Sequence, residues 1–89
     1  MLDKQDALII ATKLGAAIDE KKGRPHALAK VLYNGRIVAM FGIRRGHNGL
    51  PHDHVPKDLH WSPHKCKEFS KCNYTRDEWI ADMIANGFI

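Results

Sequence analysis

The sequence has few of the features that mark secreted or membrane-spanning proteins. Its 89 residues include two cysteines, Cys66 and Cys72, too few for a disulfide framework, so a reduced, cytoplasmic setting is expected. No apolar run approaches the roughly 18 residues of a membrane-spanning helix. The start, MLDKQDALIIATKLG, contains acids and lacks the basic head of a secretory signal, so none is expected. The length predicts a single domain over residues 1–89.

Acidic residues are scarce in the middle of the chain, although the net charge of the whole sequence is only +4. From Lys21 to Arg76 there are 12 lysines and arginines against three acids, and all six histidines lie in the same stretch. A basic, histidine-rich centre is typical of a surface that meets polyanions such as RNA. The alternative is a solvated basic face that has no partner.

Local patterns predict an α+β fold, in which helices pack on a small antiparallel sheet of two or three strands. Three helices are expected, at about Asp3–Leu14, Ser62–Cys72 and Thr75–Gly87. Their starts carry the usual N-terminal signals: Asp3, Ser62 before Pro63, and Thr75 in a capping box with Glu78. Trp79 falls on the apolar stripe of the last helix and is therefore expected in the core.

The clearest local signal is Asn34-Gly35, which separates two β-forming runs at His26–Tyr33 and Arg36–Ile43. Asn-Gly is the preferred two-residue loop of a β-hairpin, and this loop predicts that His26 pairs with Ile43 and shares a face with Arg45. In this register one face of the hairpin is expected to cover the core, with Leu28, Leu32, Ile37, Ala39, Phe41 and Ile43.

The predicted hairpin gathers cations around a histidine at its open end. His26 is the candidate catalytic residue, and the cations near it in this prediction are Lys22, Arg24, Arg44 and Arg45. Guanidinium groups bind phosphate bidentately, and a neutral imidazole takes or gives a proton near pH 7. An imidazole beside cations is the minimum set for metal-free cleavage of RNA. The alternative is that His26 only ends a strand and contacts solvent.

Residues 46–61 contain two glycines, two prolines and four histidines, which predicts a long loop. This loop is expected to cover an RNA backbone through four side chains: His47, His52, His54 and Lys57. A zinc site could be drawn from His52, His54, His64 and Cys66, but their spacing is poor for structural zinc, so no metal and no cofactor are expected. Trp61, directly after the loop, is open to two interpretations, a base-stacking platform or a core residue.

The order of elements and the place of the histidine resemble the HicA family of bacterial toxins. The matching features are Leu14-Gly15, Lys22-Gly23, His26 and the closing 84–89 segment. The resemblance implies a double-stranded-RNA-binding-like fold, endoribonuclease (mRNA interferase) activity with His26 as the catalytic residue, and a separate antitoxin protein as partner. The chain departs from the family's pattern in Arg24-Pro25, which intervene before the histidine.

The sequence therefore predicts a small RNA-binding, metal-independent endoribonuclease of toxin type that has no membrane association. Two other classes stay open. One is a non-catalytic nucleic-acid-binding module, and the other is a protein-interaction module or inhibitor that acts through its basic face.

Overall fold

The computed structural model describes residues 2–20, 26–46, 49–71 and 74–89. The elements are α1 (Lys4–Lys13), β1 (Ala17–Asp19), β2 (His26–Tyr33), β3 (Arg36–Arg44), α2 (Val55–Asp58), α3 (Pro63–Ser70) and α4 (Arg76–Ala85). The strands form one antiparallel sheet in the order β1-β2-β3, so the predicted α+β class is confirmed. None of the described helices is long and apolar enough to cross a membrane.

The predicted helix starts are confirmed by their capping hydrogen bonds. The side chain of each N-cap accepts from the backbone amide three residues on: Asp3 from Asp6 at 2.9 Å, Ser62 from Lys65 at 3.1 Å and Thr75 from Glu78 at 3.2 Å. These contacts satisfy amides that a helix leaves without an internal partner. Helix α3 ends at Ser70, short of the predicted Cys72, which lies outside the described residues.

The predicted register between β2 and β3 is wrong beyond the first two pairs. Tyr33 pairs with Arg36 and Leu32 with Ile37, but an irregularity between Val31 and Leu32 then shifts the pairing by one residue. Val38 is the additional residue, because Val31 pairs with Ala39. A bulge of this kind places two residues of one strand against one of its neighbour.

The same bulge reverses the predicted core face of β2. Ala39, Phe41 and Ile43 of β3 are buried as expected, but their partners are now Val31, Ala29 and Ala27, which are also buried. Leu32 and Ile37, which were expected in the core, are 41% and 56% exposed. A shift of one residue moves a strand's side chains to the opposite face, so a single bulge accounts for the whole difference.

The helices cover one face of the sheet and bury the aromatic part of the core. Trp79 is fully buried, which confirms its expected place, and its indole N–H donates to the carbonyl oxygen of Leu59 at 3.0 Å. Leu59 and Val55 are also buried, because the predicted loop folds into the single turn of α2. The described part of the segment between β3 and α3 thus contributes buried side chains to the core.

The connection between β2 and β3 depends on residues that tolerate a left-handed backbone. The φ angles of Asn34 and Gly35 are 52° and 78°. We expect Gly35→Val to destabilise the protein by about 1 kcal/mol or more, because a β-branched residue resists positive φ. The effect is conformational rather than steric, since a Cβ at Gly35 would meet nothing within 4 Å.

Thermal unfolding tests this expectation, with a loss of about 4–8 °C in Tm for each kcal/mol in a domain of this size. Gly35→Asn is the matched control, because asparagine tolerates positive φ, and its Tm should lie closer to that of the unchanged protein. A Tm for Gly35→Val equal to that of the unchanged protein would contradict the assigned turn.

Candidate nucleic-acid interface

His26 and Arg44 are brought together at the open end of the β2–β3 ladder. The shifted register pairs His26 with Arg44, so Arg44 replaces the predicted Ile43 as its partner. The amide of Arg44 donates away from β2, to a side chain of the following segment, which makes this a non-hydrogen-bonded pair. Side chains across such a pair are close, with Cβ atoms about 4.5–5.5 Å apart. Arg44 is exposed, and His26 is half-buried.

The imidazole of His26 packs over a glycine, and one of its nitrogens is buried without a hydrogen bond from the part of the chain that the structure describes. A Cβ added to Gly42 would lie 3.5 Å from Cβ and Cδ2 of His26, which is an ordinary van der Waals distance and places the ring directly over this residue. Nδ1 of His26 is buried and has no hydrogen-bond partner among the described residues. An unpaired buried nitrogen costs free energy, and such groups are typical of sites whose partner is a ligand or a reactant.

A cleft of about 130 Å³ lies beside Arg44, between the start of α1 and the strands. Three cations line it, Lys4, Arg44 and Arg45, against one acid, Glu20. The apolar part of the cleft comes from Leu8 and neighbouring strand residues. An excess of guanidinium and ammonium groups around a concave surface favours a phosphate group. Arg45 lies at this cleft and, in the observed register, is not the residue paired with His26.

Two histidines of the following segment bind the free edge of β3. Nε2 of His52 accepts from the amide of Arg44 at 2.9 Å, and Nε2 of His54 donates to the carbonyl oxygen of Gly42 at 2.7 Å. The two rings are 5.4 Å apart. We call this pair, His52 and His54, the histidine clasp. It supplies β3 with the donor and acceptor that a neighbouring strand would provide.

The contacts of His52 fix its tautomer and charge. Its Nδ1 donates to the carbonyl oxygen of Leu50 at 2.8 Å while Nε2 accepts from Arg44, so the ring is neutral with the proton on Nδ1. Its side chain is fully buried. Burial lowers the pKa of His52 below its usual value, and the charges of His54, Arg44 and Lys4 lower it further, against the raising effect of the Leu50 carbonyl.

This neutral, buried histidine predicts a loss of stability in mild acid. Because the folded pKa of His52 is lower than the unfolded value of 6.5, the unfolded chain binds the proton more readily. Its contribution is fully present above about pH 6.5 and falls by at most about 1.4 kcal/mol per pH unit below it. Urea unfolding between pH 7.5 and 5 measures this loss.

Two variants separate His52 from the other histidines. His52→Gln should flatten the dependence between pH 6.5 and 5, because its amide does not titrate. The exposed His64 lies on α3, and His64→Gln should leave the dependence as it is. A wild-type free energy of unfolding that is constant from pH 7.5 to 5 would contradict the assigned role of His52.

The remaining predicted interface residues differ in how much of their surface is exposed. Lys57 is exposed on α2 and His54 is half-buried in the clasp. The prediction that His52 contacts nucleic acid is wrong, because its side chain has no exposed surface and both ring nitrogens bind the backbone. Three predicted residues, Lys22, Arg24 and His47, lie outside the described residues.

Lys4 is a cation of the cleft that sequence reasoning missed. Its Nζ donates to the carbonyl oxygen of Gly46 at 2.9 Å, which ties the start of α1 to the end of β3. Pairing of Asp3 with Pro51 holds the two segments side by side. The residues are more than 40 positions apart, and no local pattern near Lys4 indicates this contact.

Comparison with known proteins adds no relative: no family model, no curated protein and no solved structure matches the chain.

Proposed function

We propose that the protein binds RNA and cleaves it without a metal ion, as an endoribonuclease of toxin type. The observation that carries the proposal is the pairing of His26 with Arg44, next to the basic cleft. His26 supplies an imidazole whose Nδ1 has no partner among the described residues, and Arg44 supplies an exposed cation within reach of the same phosphate. In this proposal a separate antitoxin protein restrains the activity.

The proposed fold is double-stranded-RNA-binding-like and includes the Asn34-Gly35 hairpin. The order of one helix, three antiparallel strands and a final helix supports it, with α2 and α3 as additions between the sheet and α4. The basic end of the sheet would face the RNA backbone. Phosphate contacts from Lys4, Arg44, Arg45 and Lys57 would supply affinity that is independent of base sequence.

The proposed reaction is an internal transfer at phosphorus. His26 takes the proton of a ribose 2′-hydroxyl, and the 2′-oxygen attacks the adjacent phosphorus. The bond from phosphorus to the 5′-oxygen breaks, that oxygen takes a proton from the imidazolium, and a 2′,3′-cyclic phosphate remains. Arg44 stabilises the negative charge that develops on the phosphate oxygens.

Incubation with total RNA in the presence of EDTA tests the proposal. We expect cleavage that EDTA does not abolish and products with 2′,3′-cyclic phosphate ends. The same RNA with 2′-O-methyl groups is the control, because it keeps the phosphates that bind but lacks the attacking hydroxyl. It should bind and remain intact.

Two results would replace the proposal by one of the other classes. Binding that weakens steeply with salt but is never followed by cleavage would leave a nucleic-acid-binding module. Absence of both binding and cleavage would leave a protein-interaction module.

A further inference from the structure

A second cleft lies between α4 and the start of α3, and it is lined by aromatic and acidic groups instead of an excess of cations. Its volume is about 390 Å³, which falls in the range of pockets for small ligands. Trp61 and Tyr74 form aromatic walls, and their rings are 5.4 Å apart. Glu78 and Asp82 of α4 add two carboxylates to the lining. Aromatic faces together with carboxylates are the groups that bind organic cations.

The small residues of α4 shape the floor of this cleft. Ala81 and Ala85 line it, one turn apart, and both are exposed. Glu78 and Asp82 are also one turn apart, so their Cβ atoms are about 5–6 Å from each other. The lining thus has an apolar strip beside two negative charges at a fixed separation.

Lys65 places its own ammonium group against the aromatic and acidic lining of this cleft. Nζ of Lys65 lies 5.3 Å from the centre of the Trp61 ring and 3.7 Å from Oδ2 of Asp82. Both distances are those of an attractive contact with an ammonium ion. The Lys65 side chain is 42% exposed, so it can leave for solvent and make room for another cation.

Each of the two carboxylates has one oxygen that accepts no hydrogen bond from the described residues. Oε1 of Glu78 accepts from the amide and hydroxyl of Thr75, which leaves Oε2. Oδ2 of Asp82 accepts from the indole N–H of Trp61, which leaves Oδ1. Trp61 is a residue of the buried core, with 8% of its surface exposed, and the carboxylates beside it repel phosphate. Of its two interpretations, the core residue is therefore confirmed and the base-stacking platform is not favoured.

We propose that this cleft binds a linear aliphatic diamine, with one ammonium group at Asp82 and Trp61 and the other at Glu78. Three or four methylenes separate two ammonium groups by a distance similar to that between the carboxylates, and they cover the strip of Ala81 and Ala85. The bound diamine displaces the ammonium of Lys65. The site is independent of any activity at His26.

Titration with 1,4-diaminobutane, followed by the indole N–H signals in a ¹H–¹⁵N spectrum, tests the proposal. The chain has two tryptophans, and Trp79 is fully buried, so its signal reports an intact core. We expect a saturable shift of the Trp61 signal, and a fixed Trp79 signal. The same titration with 1-aminobutane should give binding at least tenfold weaker, because only one carboxylate is engaged.

Four variants sharpen the test. Glu78→Gln and Asp82→Asn should each weaken diamine binding about tenfold or more, while their amide oxygens still accept from Thr75 and Trp61. Lys65→Gln should strengthen it severalfold, because the internal competitor is lost. Asp77→Asn is the control for net charge, since Asp77 is exposed on α4 and does not line the cleft; binding should be unchanged.

Three results would overturn the proposal: a Trp61 signal that does not move, equal binding of 1-aminobutane and 1,4-diaminobutane, or equal weakening by Asp77→Asn and Glu78→Gln. The second result would indicate a site for a single ammonium group, such as a lysine side chain, and the third a general attraction of cations.

Discussion

Replacing His26 by alanine is expected to lower the rate of RNA cleavage by about 10²–10⁴, the usual contribution of a general acid–base group. RNA affinity should change little, because a neutral imidazole adds little to the binding of a polyanion. The fold should survive, since His26 is the first residue of β2 and lies outside the buried core. Single-turnover cleavage and a filter-binding titration on the same preparation measure the two quantities separately.

Arginine variants provide the contrast that identifies the chemistry. Arg44→Ala removes the exposed cation paired with His26, so it should weaken binding, reduce the salt slope by about one and slow cleavage. Arg45→Ala removes a cation of the neighbouring cleft and should affect binding more than the cleavage rate of bound RNA. The observed register pairs His26 with Arg44 and so assigns the larger catalytic effect to Arg44, whereas in the predicted register Arg45 shared a face with His26.

Full cleavage activity in His26→Ala would exclude this residue as general acid or base. Equal losses of affinity and rate in His26→Ala would instead indicate a binding role. In either case the proposed mechanism fails, even if the protein binds RNA.

His52→Ala is expected to have the largest effect on stability of the variants considered, with a loss of about 3 kcal/mol or more. The substitution leaves a cavity at a fully buried site. It also removes the hydrogen-bond partners of the Arg44 amide and the Leu50 carbonyl, each worth about 1 kcal/mol. Urea unfolding at pH 7.5 measures the loss.

His54, the second residue of the histidine clasp, provides the matched control. His54 is only half-buried and makes one hydrogen bond, so His54→Ala should cost about 1 kcal/mol. Equal small losses in both variants would mean that His52 is not the buried anchor of β3. The comparison requires no assumption about RNA.

Local signals were sufficient to predict α1, α3 and α4, but not the single turn of α2, which lies in the predicted loop. The caps at Asp3, Ser62 and Thr75 depend on residues three positions apart, and all three form as expected. The β-forming run at His26–Tyr33 coincides with the observed β2. Each of these features depends on residues that are close together in the sequence, so the sequence alone is enough to predict it.

The register could not be predicted, because nothing local marks the bulge. The residues around the bulge are all apolar, namely Ile37, Val38 and Ala39, so no one of them is marked by its type as the additional residue. Large size favoured Leu28 and Leu32 for the core, yet pairing with the buried face of β3 selects the smaller alanines of β2. Propensity does not resolve a choice that depends on tertiary packing.

The contacts of the histidine clasp with β3 could not be predicted from the sequence, although the spacing of its two histidines is a recognisable pattern. Histidines two positions apart would present their rings on the same side of an extended chain. Residues 53 and 54 instead form a turn at the start of α2, and both rings still reach the edge of β3. The same pattern suits phosphate, a metal or a backbone edge. Only the position of the segment against β3 distinguishes these uses.

The histidine clasp has a consequence for self-association. A sheet grows by adding strands at an edge that still offers amides and carbonyls, and natural proteins obstruct such edges to avoid aggregation. Here two side chains occupy the groups of Gly42 and Arg44 that a second molecule would need. Protonation of His52 would place a second N–H against the amide of Arg44, so we expect acid to free that amide while His54 still occupies the carbonyl of Gly42. We therefore expect pairing between molecules at the edge of β3 to be easier in acid than at neutral pH.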